Sequence, residues 1–211
     1  MRIGVICNGA VTDYNWLAAV IETLDGVICA DGGSNHAYKL GIMPKLIIGD
    51  LDSVDPKVLS HYQSEGVTIK QFMAEKDDTD QRLALQEAIA LGATEVVLLA
   101  ALGKRLDHSL GSLSVLAYLH SQGVTGTILD ETNEVTLREH QVIIEGEVGE
   151  EISLLPLTTR VTGITTENLQ YALKDAVFEL GNPYGISNVL TAPKARVTMA
   201  EGLLLVIKSR E

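Results

Sequence analysis

Apolar residues in the first 130 positions follow two alternating rhythms. Short runs rich in β-branched and aliphatic side chains, "IGVIC" (3–7), "VICA" (27–30), "KLIIG" (45–49), "VTIKQF" (67–72), "EVVLLAA" (95–101) and "TGTILD" (125–130), read as strands. Between them apolar residues recur at helical spacing: Trp16, Leu17, Val20, Ile21 and Leu24 within 13–24, and Ala84, Leu85, Ala88 and Ile89 within 79–91. A short helix is expected after "DGGSN" (31–35), another from Pro56 to Ser64, and a third over 107–121. Strands that alternate with helices predict an α/β unit with a doubly wound, mostly parallel sheet. A run as apolar as "VVLLA" (96–100) fits a sheet covered on both faces.

The rhythm changes near Asp130–Asn133. "EVTLRE", "QVIIEG", "EISLLPL", "RVTGITT", "LQYAL", "VFELG", "SNVLT", "ARVTMA" and "LLLVIK" are short segments separated by turn residues, too short for ordinary helices. They predict an antiparallel β-sandwich. Two domains are therefore expected, 1–131 and 132–211, packed closely because no low-complexity linker separates them.

Composition adds limits. A hydrophobic share of 46% with 21% charged residues is that of a folded globular chain. No apolar run reaches membrane-span length, and "MRIGVICNGA" reads as a first strand, not a signal peptide, so a cytoplasmic protein is expected. A net charge of −12 argues against nucleic-acid partners, whose phosphates need Lys and Arg. Cys7 and Cys29 sit in apolar runs and read as core residues, as does Trp16 in its helical pattern; no Cys/His spacing suggests zinc.

The polar motifs fall at one kind of place. "DGGSN" (31–35), "GDLDS" (49–53), "EKDDTD" (75–80) and "LGKRLDH" (102–108) each follow a strand. Ligands of open α/β sheets bind outside the carboxyl ends of the strands. There Asp31, Asp50, Asp52, Asp77, Asp78, Asp80 and Asp107 are expected to converge, and so much like charge calls for a cation. Oxygen ligands without Cys or His partners favour Mg²⁺. Each motif also has a plain structural reading: "DGG" as a turn, Asp55 before Pro56 and Asp78 or Thr79 as helix caps, Lys104 and Arg105 as solvated charges, His108 as a helix-start residue. The coincidence of four motifs at one edge, with basic residues suited to phosphate beside the acids, favours chemistry. No P-loop, GxGxxG, serine-hydrolase elbow or HExxH is present.

These residues resemble a known family. "ADGGSNHAYKLGIMPKLIIGDLDS" (30–53), "KDDTDQRLAL" (76–85), "GKRLDHSLGSL" (103–113), "LQYAL" (169–173) and "GISN" (185–188) stand in the order found in thiamine pyrophosphokinases (thiamine diphosphokinases). The resemblance implies an N-terminal α/β catalytic domain that binds ATP and Mg²⁺, and a C-terminal β-sandwich that binds thiamine. It also implies a homodimer with thiamine held between the catalytic domain of one subunit and the β domain of the other. The implied reaction moves the pyrophosphoryl group of ATP to the thiamine hydroxyl, giving AMP and thiamine diphosphate. By the same resemblance Asp50, Asp52 and Asp80 match the metal-binding carboxylates, with Asp77 adding to the shell. Asp31 and Gly32 match the ATP-facing "DGG". Arg105 would hold phosphates, Asp107 and His108 complete that edge, and Asn8 would touch the nucleotide. Ser187 and Asn188 match a Ser-Asn pair at the thiamine pyrimidine, and Tyr171 stands where members often carry Trp. Lys104 departs from the common "GGR", and it either adds a phosphate contact or points to solvent. Two alternatives stand beside this reading: a Mg²⁺-dependent pyrophosphokinase acting on a pterin alcohol, against which "GISN" argues, and a non-catalytic thiamine or nucleotide sensor.

Overall fold

The computed structural model describes every residue except Ala74, Lys76, Lys104 and Glu211. The chain divides into two compact units, Met1–Glu131 and Thr132–Glu211.

The first unit is a six-stranded, wholly parallel sheet. Its strands are β1 (Arg2–Ile6), β2 (Gly26–Ala30), β3 (Leu46–Gly49), β4 (Thr68–Gln71), β5 (Glu95–Leu99) and β6 (Thr125–Leu129), in the order β6-β5-β1-β2-β3-β4. The connecting helices are α1 (Tyr14–Ile21), α2 (Gly33–Lys39), α3 (Pro56–Ser64), α4 (Asp80–Ala90) and α5 (Leu106–Ser121). Period-two alternation sends Ile6, Val27, Cys29, Ile47, Val97 and Leu99 to one face, where they pack with Leu17, Ala37, Val58 and Tyr62 of α1, α2 and α3. Burying a side chain such as Leu17, fully enclosed here, is worth about 1.5–3 kcal/mol. Helix α4 packs against β1, β2 and β3, with Ala84, Leu85 and Ala88 buried. Helix α5 lies on β6, where a Cβ on Gly126 would meet Leu116 and Leu119; glycine allows that close approach.

Local signals set the helix starts. The Asp13 carboxylate accepts the N–H groups of Asn15 and Trp16. Asp55 accepts from Lys57 N and is followed by Pro56 at the first helical position. Thr79, not Asp78, caps α4. Cys7 and Cys29 are buried, and burial pushes the Cys7 thiol up to about 12.

The second unit is a sandwich of two antiparallel sheets. Its strands are β7 (Asn133–Arg138), β8 (Gln141–Glu145), β9 (Glu151–Pro156), β10 (Arg160–Glu167), β11 (Ala176–Glu179), β12 (Asn188–Val189), β13 (Lys194–Thr198) and β14 (Leu204–Ser209). Strands run in the orders β12-β9-β14-β7 and β11-β10-β13-β8. Alternate residues such as Val142, Ile144, Ile152, Leu154, Ala195 and Val197 form its core. "LQYAL" forms no strand: Leu169 makes one isolated bridge to Leu190. Asn168, just before it, has φ 61, which turns the chain out of extended pairing.

Candidate active site

Register brings the loops together. Ile6 lies beside Cys29 and Leu99, Ala30 beside Ile48, and Gly49 beside Gln71, so the strands end nearly level. Strand order reverses at β1, between β5 and β2, and a ligand crevice is expected there. The residues that leave β2, β3 and β5, namely Asp31 (φ 45), Leu51 (φ 69) and Ala100 (φ 50), are non-glycine residues in the left-handed region. Each costs on the order of 1 kcal/mol or more, and such strain clusters at functional sites.

The turn after β3 aims two carboxylates. Asp50 Oδ1 accepts Asp52 N–H at 3.2 Å, and the Ser53 hydroxyl donates to Asp52 Oδ1 at 2.9 Å. The turn is clasped from α2 by Asn35, whose Nδ2 donates to Ser53 O at 2.9 Å and whose Oδ1 accepts Asp55 N–H at 3.0 Å.

The turn after β2 supplies the third carboxylate. Asp31 is buried, its N–H donates to Ile48 O at 2.8 Å, and its Oδ1 lies 3.4 Å from Ser53 N. A Cβ on either following glycine would meet a close neighbour, backbone at Gly33 and a side chain at Gly32. A Cβ on Gly33 would fall 2.0 Å from Ile6 O, and one on Gly32 would fall 2.3–2.6 Å from the Asn8 side-chain amide. Asn8 therefore lies directly over the "DGG" turn. Carboxylate oxygens of Asp31, Asp50 and Asp52 lie within 4.8 Å of one another. Burial raises the Asp31 carboxyl above its ordinary range, and the Asp52 charge acts in the same direction. Hydrogen bonds from Gly32 and Ser53 offset part of that.

Asp80 joins this edge from α4. A Cβ on Gly49 would sit 3.1 Å from the Asp80 carboxyl carbon and 3.0 Å from Asp31 Cβ. The other acids are disposed differently. Asp77 is exposed. Asp78 Oδ1 is 2.9 Å from Arg82 Nε, an ion pair without hydrogen-bond alignment, and Asp78 Oδ2 accepts from Gln86. Asp107 is held by Arg105 through Nε–Oδ1 (3.1 Å) and Nη2–Oδ2, which lowers the Asp107 carboxyl to about 2. The expected seven-aspartate convergence thus narrows to Asp31, Asp50 and Asp52 with Asp80 beside them. Asp78 and Asp107 have cationic partners on or near their own helices. Arg105 and His108 are exposed at the start of α5, and Lys104 lies outside the described residues.

In the second unit, Asn188 is buried and its side chain is occupied. Oδ1 accepts the N–H groups of Tyr171 and Val189, and Nδ2 donates to Tyr171 O, all at 2.9 Å. This two-point grip on the backbone of one residue presents Tyr171, which is 62% exposed. Ser187 has φ 55 and is anchored by its N–H to Ser153 Oγ.

Sequence reasoning passed over several polar residues. Asn35 is one. Gln81 and Ser112 are others: Gln81 Nε2 donates to the Ser112 hydroxyl (2.9 Å) and lies 3.5 Å from Cys7 Sγ, while Ser112 donates to Ala101 O (2.8 Å). This partly buried relay ties α4, α5 and the ends of β1 and β5 together. All three lie inside the quoted motif blocks, but neutral amides and hydroxyls carry no signal of their partners until the chain folds.

Known proteins are similar to this chain in sequence and in fold. The family model described as "Thiamin pyrophosphokinase, catalytic domain" matches residues 17–128, and the one described as "Thiamin pyrophosphokinase, vitamin B1 binding domain" matches residues 139–204. The chain is 26% identical over 191 residues to "Thiamine pyrophosphokinase" of Bacillus subtilis (strain 168), covering 87% of each. Its fold is similar to the crystal structure of thiamine pyrophosphokinase from Bacillus subtilis, with a TM-score of 0.89 and 23% identity over all of both chains. It is also similar to a thiamin pyrophosphokinase family protein from Enterococcus faecalis, with a TM-score of 0.85, 26% identity and full coverage of both.

Proposed function

The chain belongs to the thiamin pyrophosphokinase family, and from that premise we propose how its residues move a pyrophosphoryl group from ATP to the hydroxyl of thiamine, giving thiamine diphosphate and AMP. The observation that carries the proposal is the meeting of Asp31, Asp50 and Asp52 within 4.8 Å at the carboxyl edge of a parallel sheet. An all-oxygen, anionic donor set suits a hard cation, and both the burial that raises the Asp31 carboxyl and the nearby Asp52 charge favour one. Asp50, Asp52 and Asp80 would hold Mg²⁺, with Asp77 adding to the shell and Asp31 facing it. When bound, the ion neutralises phosphate charge and aligns the displacement.

The chain's own residues do the rest. Asn8 and the Asp31–Gly32 turn receive the nucleotide. Arg105 is exposed and, among the described residues, its guanidinium pairs with the exposed Asp107 carboxylate, so it can turn to the phosphates while Asp107 and His108 flank it. A carboxylate of the cluster accepts the proton of the attacking hydroxyl as the oxygen bonds to the β-phosphorus and the AMP oxygen leaves. In the sandwich, Tyr171 stacks on a thiamine ring and Ser187 offers its hydroxyl to the pyrimidine. Asn188 acts through Tyr171, because its own amide is already engaged. We take the active form to be a cytoplasmic homodimer that shares each thiamine site between subunits. The exposed side chains of Tyr171, Leu180, Tyr184 and Ile186 support a buried role for that surface. Among the described residues no helix is long and apolar enough to cross a membrane.

Incubation with ATP, Mg²⁺ and thiamine tests the reading. Equal amounts of AMP and thiamine diphosphate are expected, and chelation with EDTA should stop both. Formation of ADP and thiamine monophosphate, or of no product, would overturn it. A pterin alcohol replacing thiamine as the acceptor would favour the alternative enzyme.

A further inference from the structure

The loop that carries Asn8 is stitched shut by a residue with no role in the reading above. We propose that His36 is a positioning residue of the nucleotide side of the site, tying the Asn8–Gly9 turn to helix α1 and so setting where the Asn8 amide lies above the "DGG" turn. The proposal rests on the reading of this edge as the ATP site.

His36 sits half-buried on α2 and reaches both ends of the β1–α1 connection. Its Nε2 lies 2.9 Å from Gly9 O, and its Nδ1 lies 2.8 Å from the Tyr14 hydroxyl. A carbonyl oxygen only accepts, so Nε2 carries the hydrogen. In the neutral ring Nδ1 is then the acceptor and Tyr14 the donor. One tautomer satisfies both partners. Burial lowers the His36 pKa, and the Lys39 charge acts in the same direction while the Gly9 bond opposes it; the net direction favours the neutral ring that this hydrogen-bond geometry uses. Lys39 Nζ lies 3.6 Å from the centroid of the Tyr14 ring, fixing the ring from another side.

Gly9 is held from two directions. Its carbonyl takes the His36 hydrogen, and its N–H donates to Ala100 O at 2.8 Å. A Cβ there would stand 2.3 Å from Ala100 O and 2.6 Å from Leu102 O, so the turn is pressed against the loop after β5. The residue just before it is Asn8, whose amide fills the space above Gly32. The far end of the connection is also fixed, because Glu131 Oε1 accepts from Thr12 N, Thr12 Oγ1 and Asp13 N. Releasing the His36 staple frees the Asn8–Gly9 turn while leaving Asp31, Asp50 and Asp52 on their own turns. The loss should therefore fall on ATP binding, not on the chemical step.

Steady-state kinetics of His36→Phe and His36→Gln in the full chain test this. His36→Phe should raise KM for ATP about tenfold, or about 1.4 kcal/mol, with kcat and the thiamine KM within about twofold. His36→Gln, whose amide N–H can still reach Gly9 O, should recover most of the loss. An unchanged ATP KM in folded His36→Phe would overturn the proposal. So would a parallel loss in kcat and both KM values, the sign of a general structural role. Imidazole ¹⁵N shifts of the wild-type chain should show hydrogen on Nε2 and not Nδ1, and amide exchange at Gly9 should quicken in either variant, most in His36→Phe. The opposite tautomer, or unaltered Gly9 exchange in whichever variant folds, would also overturn it. These last two measurements need no turnover. An inactive wild-type chain with the staple intact would count against the reaction and not against His36.

Discussion

Replacing Asn188 by Ala separates two roles for the "GISN" turn. The residue is 6% exposed and its side chain makes three hydrogen bonds at 2.9 Å, two of them to the peptide groups of Tyr171. A hydrogen bond nets about 0.5–1.5 kcal/mol, and buried groups left unpaired add to its loss. Removing three should cost about 2–4 kcal/mol within the unit Thr132–Glu211. With a urea slope of about 2 kcal/mol/M, the unfolding midpoint of that unit should fall by about 1–2 M. The freed Tyr171 backbone should also raise KM for thiamine, leaving that for ATP alone. Asn188→Asp should do no better than Ala, since it retains acceptors but sets a buried carboxylate against Tyr171 O. Ser187→Ala is the contrast: it keeps the Ser187 N–H bond to Ser153, so KM for thiamine should rise with little change in midpoint. Equilibrium unfolding followed by circular dichroism, alongside kinetics, reads both quantities. A midpoint for Asn188→Ala within about 0.2 M of wild type would refute the positioning role and return Asn188 to direct substrate contact.

Other outcomes follow from single groups. Asp52→Asn should abolish turnover without lowering stability, because Asp52 is exposed at the tip of its turn; near-normal turnover would remove it from the metal shell. Asn35→Ala cuts both bonds that clasp residues 53–55, so Mg²⁺ dependence should shift to higher concentration, by about tenfold, as measured by titrating activity with the ion. Burial alone would raise the Glu131 carboxyl, but the N–H groups of Asp13 and Thr12 and the Thr12 hydroxyl outweigh it and hold it below the ordinary range. A depressed carboxyl contributes stability above its unfolded pKa and loses it as pH falls through the folded value. The stability gap between wild type and Glu131→Gln should accordingly be full at neutral pH and shrink in acid. A gap that widens in acid would contradict the sign.

Much of the fold was legible because hydrophobic period is a local property. Alternation and helical spacing needed only near neighbours in the chain, and the caps Asp55 and Thr79 act within three residues of themselves. "LQYAL" misled because its apolar content resembles a strand, whereas the left-handed Asn168 and the distant Asn188 determine its path. The acids were legible as types and as strand-end residues, which is why Asp31, Asp50 and Asp52 could be named together. Their separation was not.

By itself the sequence determined the alternation of strands and helices, the switch to a sandwich near Asp130, and the order of motifs that carries the resemblance to thiamine pyrophosphokinases. Tertiary structure alone decided which carboxylates share one space. Level strand ends and strained turns put Asp31 against Asp50 and Asp52, whereas Asp78 and Asp107 pair with Arg82 and Arg105 close by in the chain. It also decided the work of the neutral residues. Asn35, His36, Gln81 and Asn188 gain their roles from partners 17 to 31 positions away. Such partners meet only through folding, since a hydrogen bond depends on distance in space and the sequence records only distance along the chain.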